Sequence, residues 1–363
     1  MYNKIKNAVY NAIDNENSVD DYLLKKFKLD KNGIVFKPLR LKNINRLSNK
    51  LNTILYFIFP LYFIGLFLLH LLKRTVGGVL ILPCVNHRFI SFSNKSMIIY
   101  NKNKLQIPFV DLRGQNKILN KYLSCGELCK CFICSLIILF SCYGKTKIRN
   151  LPNLIHIYEC SMFFIFLEKM KDNGTNRISH SNHYDRWATI ISACDFFCIT
   201  VYQHGLIDEN YSPVIKIKNV DSIYTYDDKS EEYFCNKVLL LDSNNLIVKK
   251  RISISSFIID DSEFFFALIV GHPNYIDDEL FIFNMINQLN LGSVIYRPHP
   301  ISRKNKKIKL FSNLSLDENI LPSHKIAIVK ESTLGCELQS LGVKIYEWHE
   351  KDSLIENLKK DFL

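Results

Sequence analysis

The sequence of 363 residues lacks internal repeats and low-complexity tracts, so nothing in it predicts a repeat protein or a disordered linker. It also lacks the composition of a disordered chain, because 48% of its residues are hydrophobic and 12% are aromatic. A chain of this length and composition can bury one large core or two medium cores. Two domains are the better expectation.

The sequence lacks a leading signal peptide, and its eleven cysteines lack the spacing of a zinc ribbon. One Cys-x-x-Cys pair, Cys131 and Cys134, has no second pair at the required distance. The surrounding segment, up to Cys142, is apolar, which favours buried thiols on a helix over a zinc site. We therefore expect reduced thiols in a cytoplasmic protein.

Acidic residues are in deficit, with 35 Asp and Glu against 47 Lys and Arg, which gives a formal net charge of +12 at pH 7. This balance favours a polyanionic partner such as membrane phospholipid, nucleic acid or a phosphorylated substrate, although an AT-rich coding bias would produce the same lysine excess. The basic residues are dispersed, and no aromatic-studded basic strand or recognition helix is present. We therefore expect no nucleic-acid partner.

The first fifty residues are polar and lysine-rich, which predicts an exposed basic lead-in. An uncharged apolar run of nineteen residues then extends from Ile54 to Leu72 and ends at Lys73 and Arg74. Its length approaches the roughly 20 residues that span a bilayer. A strand-like segment follows within a few residues, which favours a helix in the membrane interface, or one packed on the domain, over a transmembrane helix.

Strand-like and helix-like segments alternate from Val79 to about Val201, which predicts a parallel sheet flanked by helices. A second α/β unit opens with the apolar run Phe264 to Val270, typical of a strand covered on both faces, and continues with a helix from Asp277 to Leu289. The predicted strands of the first unit are Val79 to Leu82, Met97 to Tyr100 and Ile199 to Tyr202, and its predicted helices are Lys117 to Tyr122, Leu128 to Tyr143, Ser161 to Met170 and Ala188 to Cys194.

The predicted organisation has four parts, with the domain boundary near Val248 to Ile258. The parts are the lead-in 1–50, an N-terminal α/β domain 51–250 that contains the apolar helix 54–72, a C-terminal α/β domain 251–348 and a C-terminal helix 349–363.

Two polar motifs of the C-terminal domain each follow an apolar strand. Arg297-Pro298-His299-Pro300 closes the run Val294 to Tyr296, and Glu331-Ser332-Thr333 follows the run Ile326 to Val329. Ligands bind outside the carboxyl ends of strands in open α/β sheets, so both motifs would face one crevice if their strands lie close together. Ser332 and Thr333 would stand at a helix N-terminus, which favours an anion, while Arg297 and His299 would add donors. A sugar nucleotide fits such a site.

Three further histidines follow predicted strands. His272 lies in Gly271-His272-Pro273, His183 and Asp185 precede the helix Ala188 to Cys194, and His204 lies in Gln203-His204-Gly205. Gly205 permits a sharp turn that leaves His204 at a strand tip. Each motif also has a structural interpretation: Asp185 suits a helix N-terminus, and the histidines suit capped loops. Since no Asp-x-Asp lies in a suitable setting, we expect no metal site.

Together these motifs resemble the GT-B glycosyltransferases of bacterial surface polysaccharide assembly, which include polysialyltransferases, lipooligosaccharide sialyltransferases and the CDP-glycerol polymerases of teichoic acid synthesis. His299-Pro300 and Ser332-Thr333 resemble the two donor-nucleotide motifs of that group, and Gly271-His272-Pro273 resembles a Gly-Gln-Pro element. Gln203-His204-Gly205 is similar to the Trp-His-Gly element of the polymerases. The acidic pair that the sialyltransferases carry there is missing, which weighs against a sialic acid donor.

The resemblance covers roughly residues 175 to 348 and implies two Rossmann-like domains facing across a cleft. It implies a glycosyltransferase, inverting and metal-independent, that moves a sugar from a nucleotide-sugar, CMP- or CDP-linked, to a surface glycan at the inner face of the cytoplasmic membrane. His204 would be the catalytic base, with His183 or Asp185 as the alternative. The expected donor-binding residues are Arg297, His299, Glu331, Ser332, Thr333, Gly271 and His272.

Two other functions are consistent with the sequence. A transferase of polyol phosphate would move glycerol phosphate from a CDP-linked donor through the same cleft. A non-catalytic, membrane-associated scaffold of a polysaccharide complex would depend on the basic lead-in and the apolar run, and it would bind no nucleotide.

Overall fold

A computed structural model describes residues 2–26, 49–102, 104–113, 116–142, 153–182, 185–203, 210–241, 247–252, 258–317, 320–330 and 332–363. It shows a mixed α/β protein with two sheets, and the strand pairs of both sheets are parallel. The chain divides into two compact units, Met1–Ile252 and Ser253–Leu363, which we call the N-terminal unit and the C-terminal unit.

The N-terminal unit is built from one sheet and helices that alternate with its strands. In chain order its elements are α1 (Tyr2–Lys26), α2 (Asn49–Val76), β1 (His87–Ser91), α3 (Asn94–Lys102), β2 (Phe109–Asp111), α4 (Asn116–Tyr122), α5 (Cys125–Cys142), α6 (Ile157–Asp172), β3 (Arg177–His180), α7 (Arg186–Ser192), β4 (Cys198–Tyr202), β5 (Val220–Thr225), α8 (Asp228–Tyr233) and β6 (Val248–Arg251).

The strands of this unit lie in the order β2-β1-β3-β4-β5-β6, so the first strand stands between the second and the third. The direction of strand addition therefore reverses between β1 and β3. One face of the sheet contributes Ile90, Ile178, Ile199 and Ile223 to a large apolar core with residues of α1, α5, α6 and α7. An aromatic cluster around Phe89 and Tyr202 occupies the other side.

Helix α1 corrects the expectation of an exposed lead-in. Its apolar residues recur at helical spacing, and Ile5, Val9 and Ala12 are buried in the core of the N-terminal unit. The helix lies against α6 and α7, and Asn15 on it donates to the Thr189 hydroxyl at 2.8 Å. Most polar residues of this helix lie on its outer side, whereas Asn15 is buried. Residues 27–48 lie outside the described part of the chain.

The apolar run 54–72 lies within α2, which contacts α4 and α5 along one side. Among the residues that the structure describes, one helix, α5, is long and apolar enough to cross a membrane by length and composition. That helix carries the cysteine cluster. Cys131, Cys134 and Cys142 are buried, and burial raises the pKa of the Cys131 thiol well above its usual range. The expected buried thiols on a helix are confirmed for these three, whereas Cys125 is exposed and Cys129 is half-buried.

Several predicted elements match the structure. Helices α4, α5, α6 and α7 and strand β4 lie where hydrophobic periodicity places them. Two predicted strands are wrong. Val79 to Leu82 is an irregular segment, with Ile81 89% exposed, and Met97 to Tyr100 belongs to helix α3.

The C-terminal unit has the elements β7 (Ile258–Val270), α9 (Ile276–Gln288), β8 (Val294–Arg297), β9 (Ile320–Val329), α10 (Thr333–Ser340), β10 (Lys344–Glu347) and α11 (Lys351–Phe362). Its strand order is β10-β9-β7-β8, so the first strand of the unit again stands between the second and the third. Residues Phe265 to Val270 are buried, as expected for a strand covered on both faces. Residues of α9 and α11 pack in the core on one side, and Leu338 of α10 packs on the other.

Candidate functional site

The predicted donor motifs of the C-terminal unit lie at one edge of its sheet. Strand β7 ends at Val270 and leads into Gly271, β8 ends at Arg297, and β9 ends at Val329. Because β7 pairs with both β8 and β9 in parallel, the segments that follow all three strands emerge on the same side. The strand order reverses between β7 and β9, and such reversals open the crevice in which ligands bind in α/β sheets.

Gly271 is fixed at this edge by the close approach of Tyr296. A Cβ atom at Gly271 would lie 2.5 Å from the Tyr296 hydroxyl oxygen, so only glycine fits without moving the ring. The Gly271 N–H donates to the Arg297 carbonyl at 2.8 Å, which aligns the ends of β7 and β8. The Tyr296 ring is held by Phe311, with the ring centroids 3.8 Å apart.

A buried carboxylate supports the loop after Gly271. Glu279, in the first turn of α9, accepts a hydrogen bond from the His272 N–H at 2.6 Å and another from the Tyr296 hydroxyl at 2.7 Å. Its side chain is fully buried, and this burial raises the pKa of Glu279 to about 7 although both hydrogen bonds lower it. Glu279 therefore ties the start of α9 to β8 and to the His272 backbone.

Arg297 and His299 lie at the end of β8. Arg297 is buried, and its Nη1 donates to the Ile320 carbonyl at 3.2 Å. His299 is half-buried, and its carbonyl accepts from the Ser302 N–H at 2.8 Å, which closes the turn Pro300–Ser302. The guanidinium thus connects the end of β8 to β9, while the imidazole stands in the turn beyond it.

The helix starts at this edge differ in charge. The first turn of α9 carries Asp277, Asp278 and Glu279, and the first two pair with Lys307 and Lys351. The first turn of α10 carries no acidic residue, and Ser332 stands at its N-cap without a side-chain cap hydrogen bond. Since a helix N-terminus attracts negative charge, the start of α10 is the place where an external anion would be stabilised.

Helix α10 also lies close to the end of β9. A Cβ atom at Gly335 would lie 3.0 Å from a Val329 methyl group, so glycine permits this contact. Between them, Lys330 is buried, and its ammonium lies 4.3 Å from the Tyr275 ring centroid and 4.1 Å from that of Trp348. It donates to the His349 carbonyl at 3.0 Å. Lys330 therefore joins the ends of β9 and β10 to the loop before α9.

In the N-terminal unit, the strand order reverses between β1 and β3, and buried polar residues stand at the end of β3 and in α3. His180 ends β3, and its Nδ1 accepts from the Asn182 N–H at 3.2 Å. Ser181 hydrogen-bonds Ser96 of α3 through the two hydroxyl groups. The Ser93 hydroxyl accepts from the Ser96 N–H at 3.2 Å, at the start of that helix.

Asp185 serves as the N-cap of α7. One carboxylate oxygen accepts from the N–H groups of Trp187 at 3.1 Å and Ala188 at 3.0 Å, and the other accepts from the Asn182 side chain. Burial of the carboxyl group raises its pKa. Asp185 therefore has the contacts of a helix N-cap. This is the structural interpretation that the sequence allowed beside a catalytic role.

Gln203 follows β4 and fixes the neighbouring loop. Its side-chain oxygen accepts from the Tyr226 N–H at 2.9 Å, and its nitrogen donates to the Ser230 hydroxyl at 3.0 Å. Gln203 thereby anchors the chain immediately before His204. The predicted site residues His183, His204 and Glu331 lie outside the described residues, and only the backbone of Thr333, at the start of α10, is described.

Sequence reasoning missed Glu279, Tyr296 and Lys330 as parts of this edge. Glu279 resembled an ordinary first-turn acid beside Asp277 and Asp278. A usable signal was its spacing, since Ile276, Glu279, Ile282, Phe283 and Ile286 recur at the helical period and are all buried. That pattern places Glu279 on the inner face of α9.

No grouping of three or more His, Cys, Asp or Glu side chains that could hold a metal ion occurs among the described residues. Comparisons with protein-family models, with curated proteins and with solved structures found no match for this chain.

Proposed function

We propose that the protein is a glycosyltransferase that moves a sugar from a nucleotide-sugar donor to a growing bacterial surface glycan. In this proposal the two units are Rossmann-like domains of a GT-B enzyme, and the C-terminal unit binds the donor. The observation that carries the proposal is the strand order β10-β9-β7-β8, which places the motifs after β7 and β9 on either side of the strand reversal.

The donor phosphate would lie at the start of α10, whose first turn contains no acidic residue, and Ser332, Thr333 and the backbone N–H groups there would contact it. His272 and His299 would donate to the phosphate oxygens, and Gly271 would allow close approach of the backbone. Arg297 would hold the end of β8 in place and add positive charge. Glu331 would contact the ribose or the base.

The reaction would be an inverting displacement that needs no metal. His204 would remove the proton from the acceptor hydroxyl, whose oxygen attacks the anomeric carbon as the bond to the nucleotide phosphate breaks. The positive end of α10 and the neighbouring cationic groups would stabilise the departing phosphate. His183 and Asp185 are weaker candidates for the base, and Asp185 already caps α7.

Nucleotide binding is the first test. At least one of CMP, CDP, UDP, GDP and TDP should raise the thermal unfolding temperature of the full chain. A bound ligand stabilises the folded state by an amount that grows with the ratio of its concentration to its dissociation constant. Ser332→Glu should raise that constant about tenfold or more, since it places a carboxylate at the start of α10. The matched control Gln288→Glu, at the last residue of α9, adds the same charge and should leave binding unchanged.

Turnover separates the alternatives. His204→Ala should bind nucleotide normally and lose transfer, whereas His299→Ala should lose binding. A product mass that increases by glycerol phosphate would instead identify a polyol-phosphate transferase. Absence of binding for all five nucleotides would contradict the proposal and favour a scaffold.

A further inference from the structure

Helix α2 is apolar on two opposite sides. Its inner side includes Phe59, Phe63 and His70, which are buried against the N-terminal unit, and the Phe63 and Tyr158 rings stack with centroids 6.1 Å apart. Its outer side is also apolar, and Leu61 and Leu72 are 67% and 66% exposed. The large exposed residues of this side include Ile58, Leu61, Ile64, Leu68, Leu69 and Leu72.

Helix α5 extends the same apolar surface. The Phe67 ring of α2 stacks on the Phe132 ring of α5, with centroids 4.6 Å apart, so the two helices lie side by side. The next residue on each helix, Leu68 and Ile133, is exposed. Ile137 and Phe140 continue the exposed row of α5 at helical spacing, with Phe140 54% exposed. We call the exposed apolar residues of α2 and α5 the apolar face.

The charged residues that α2 and α5 carry are all basic except Glu127. Helix α2 contains no acidic residue, and the only acid of α5, Glu127, is engaged with Lys169 at 3.0 Å and with the Ser124 N–H. Lys73 and Lys121 are exposed near the end of α2, where the Leu80 N–H donates to the Lys121 carbonyl. Apolar residues flanked by lysines match the headgroup and acyl regions of a bilayer with anionic lipids.

We propose that the apolar face docks on an anionic lipid bilayer, with α2 and α5 lying in the plane of the membrane. The inner sides of both helices are committed to the protein core, so neither can be surrounded by lipid as a spanning helix would be. A second copy of the chain fits less well, because α2 has no acidic residue and the one acid of α5 is already paired with Lys169, so neither helix complements the lysines of another copy. This inference does not depend on the proposed glycosyl transfer.

Vesicle flotation of the full chain tests the proposal. The protein should float with vesicles that contain phosphatidylglycerol and phosphatidylcholine, and Leu61→Glu, Leu72→Glu or Ile133→Glu should each lower binding about tenfold or more, because burial of a leucine-sized side chain is lost. Val214→Glu and Leu310→Glu are matched controls, since Val214 is 65% exposed, Leu310 is 61% exposed, and both lie outside the apolar face. The controls should bind as the unaltered chain does.

Charge and depth provide the second readout. Lys73→Glu with Lys121→Glu should weaken binding to vesicles with phosphatidylglycerol and have no effect on the weaker binding to pure phosphatidylcholine. Bound protein should be released by alkaline carbonate, and retention would indicate a spanning helix instead. The proposal is overturned if the variants of the apolar face float as well as the controls. It is also overturned if the unaltered chain does not bind vesicles but self-associates, and the same variants abolish that self-association.

Discussion

At the scale of single residues, Glu279 shows how one buried carboxyl group can organise a strand edge. It accepts from the His272 N–H and the Tyr296 hydroxyl, and Tyr296 in turn leaves room only for glycine at position 271. A buried acid is costly in its ionised form, and this cost is the cause of its raised pKa. The loop that carries His272 therefore depends on a group that titrates near neutral pH.

Glu279→Gln should remove a pH dependence of stability. The pKa of Glu279 rises from 4.5 to about 7 on folding, so the folded state binds its proton more tightly, and stability should fall as pH rises from about 4.5 to 7. The loss is on the order of 3 kcal/mol. Gln does not ionise. Its amide oxygen can accept from the His272 N–H, and its amide nitrogen can donate to the Tyr296 hydroxyl oxygen.

Urea unfolding across this pH range measures the effect. In a Trp187→Phe background, the fluorescence of Trp348 reports on the C-terminal unit alone, because Trp187 is the only other tryptophan. Asp277→Asn, which alters an exposed acid of the same helix turn, is the control. An unchanged slope in Glu279→Gln would mean that another group is responsible.

At the scale of elements, α1 is a helix whose role in the core is not evident from its composition. It contributes Ile5, Val9 and Ala12 to the core, and its Glu16 carboxylate pairs with Arg186 of α7 at 3.2 Å. Arg186 also pairs with Glu159 of α6 at 3.4 Å. This buried ionic network links three helices, and loss of one member would leave the others uncompensated.

Val9→Asp should therefore destabilise the N-terminal unit strongly, by about 4 kcal/mol or more, because it buries a carboxylate in the apolar interface. Asn7→Asp, two residues earlier and exposed, should change stability by less than about 0.5 kcal/mol. Unfolding followed by Trp187 fluorescence in a Trp348→Phe background compares the two. Similar midpoints for both variants would show that α1 is dispensable for the fold.

At the scale of the whole molecule, both units use one arrangement, with the first strand between the second and the third. Alternation of apolar segments predicted parallel sheets, and the run that opens the second unit was confirmed as a covered strand from Phe265 to Val270, whereas Phe264 is exposed. Strand β1 was missed because its sequence, His87–Ser91, includes Arg88, which is buried and donates to the Pro83 carbonyl and Thr175 hydroxyl. The segment Val79 to Leu82 misled the prediction for the opposite reason, since Val79, Leu80 and Ile81 are apolar but exposed. The local pattern of apolar and polar residues does not show which other segments of the chain cover a residue.

The candidate site was only partly predictable for a related reason. The histidine, glycine and serine motifs stand at strand ends and could be found from chain order, as with His272 after β7. The residues that support these motifs come from other segments of the chain. Tyr296 lies against Gly271, and the Trp348 ring lies against the Lys330 ammonium. Such contacts depend on strand order, which no local spacing encodes.

A nucleotide should stabilise the two units unequally. If the donor binds the C-terminal unit, a ligand at a hundred times its dissociation constant adds about 2.7 kcal/mol to the unfolding free energy reported by Trp348. The transition reported by Trp187 should move little. Each tryptophan can be measured in the variant that lacks the other, and equal shifts in both would contradict binding by the C-terminal unit alone.

The docking of α1 also constrains when the protein can fold during synthesis. The Asn15 side chain hydrogen-bonds the backbone of Ile215 at both its N–H and its carbonyl, across 200 positions of sequence. At about 5–20 residues per second, the ribosome needs roughly 10–40 s to make the chain between them. Until α5, α6 and α7 are made, the apolar side of α1 lacks the helices that cover it in the core. Helix α1 is therefore made well before it can be buried, and its exposed interval falls while the chain is still attached to the ribosome.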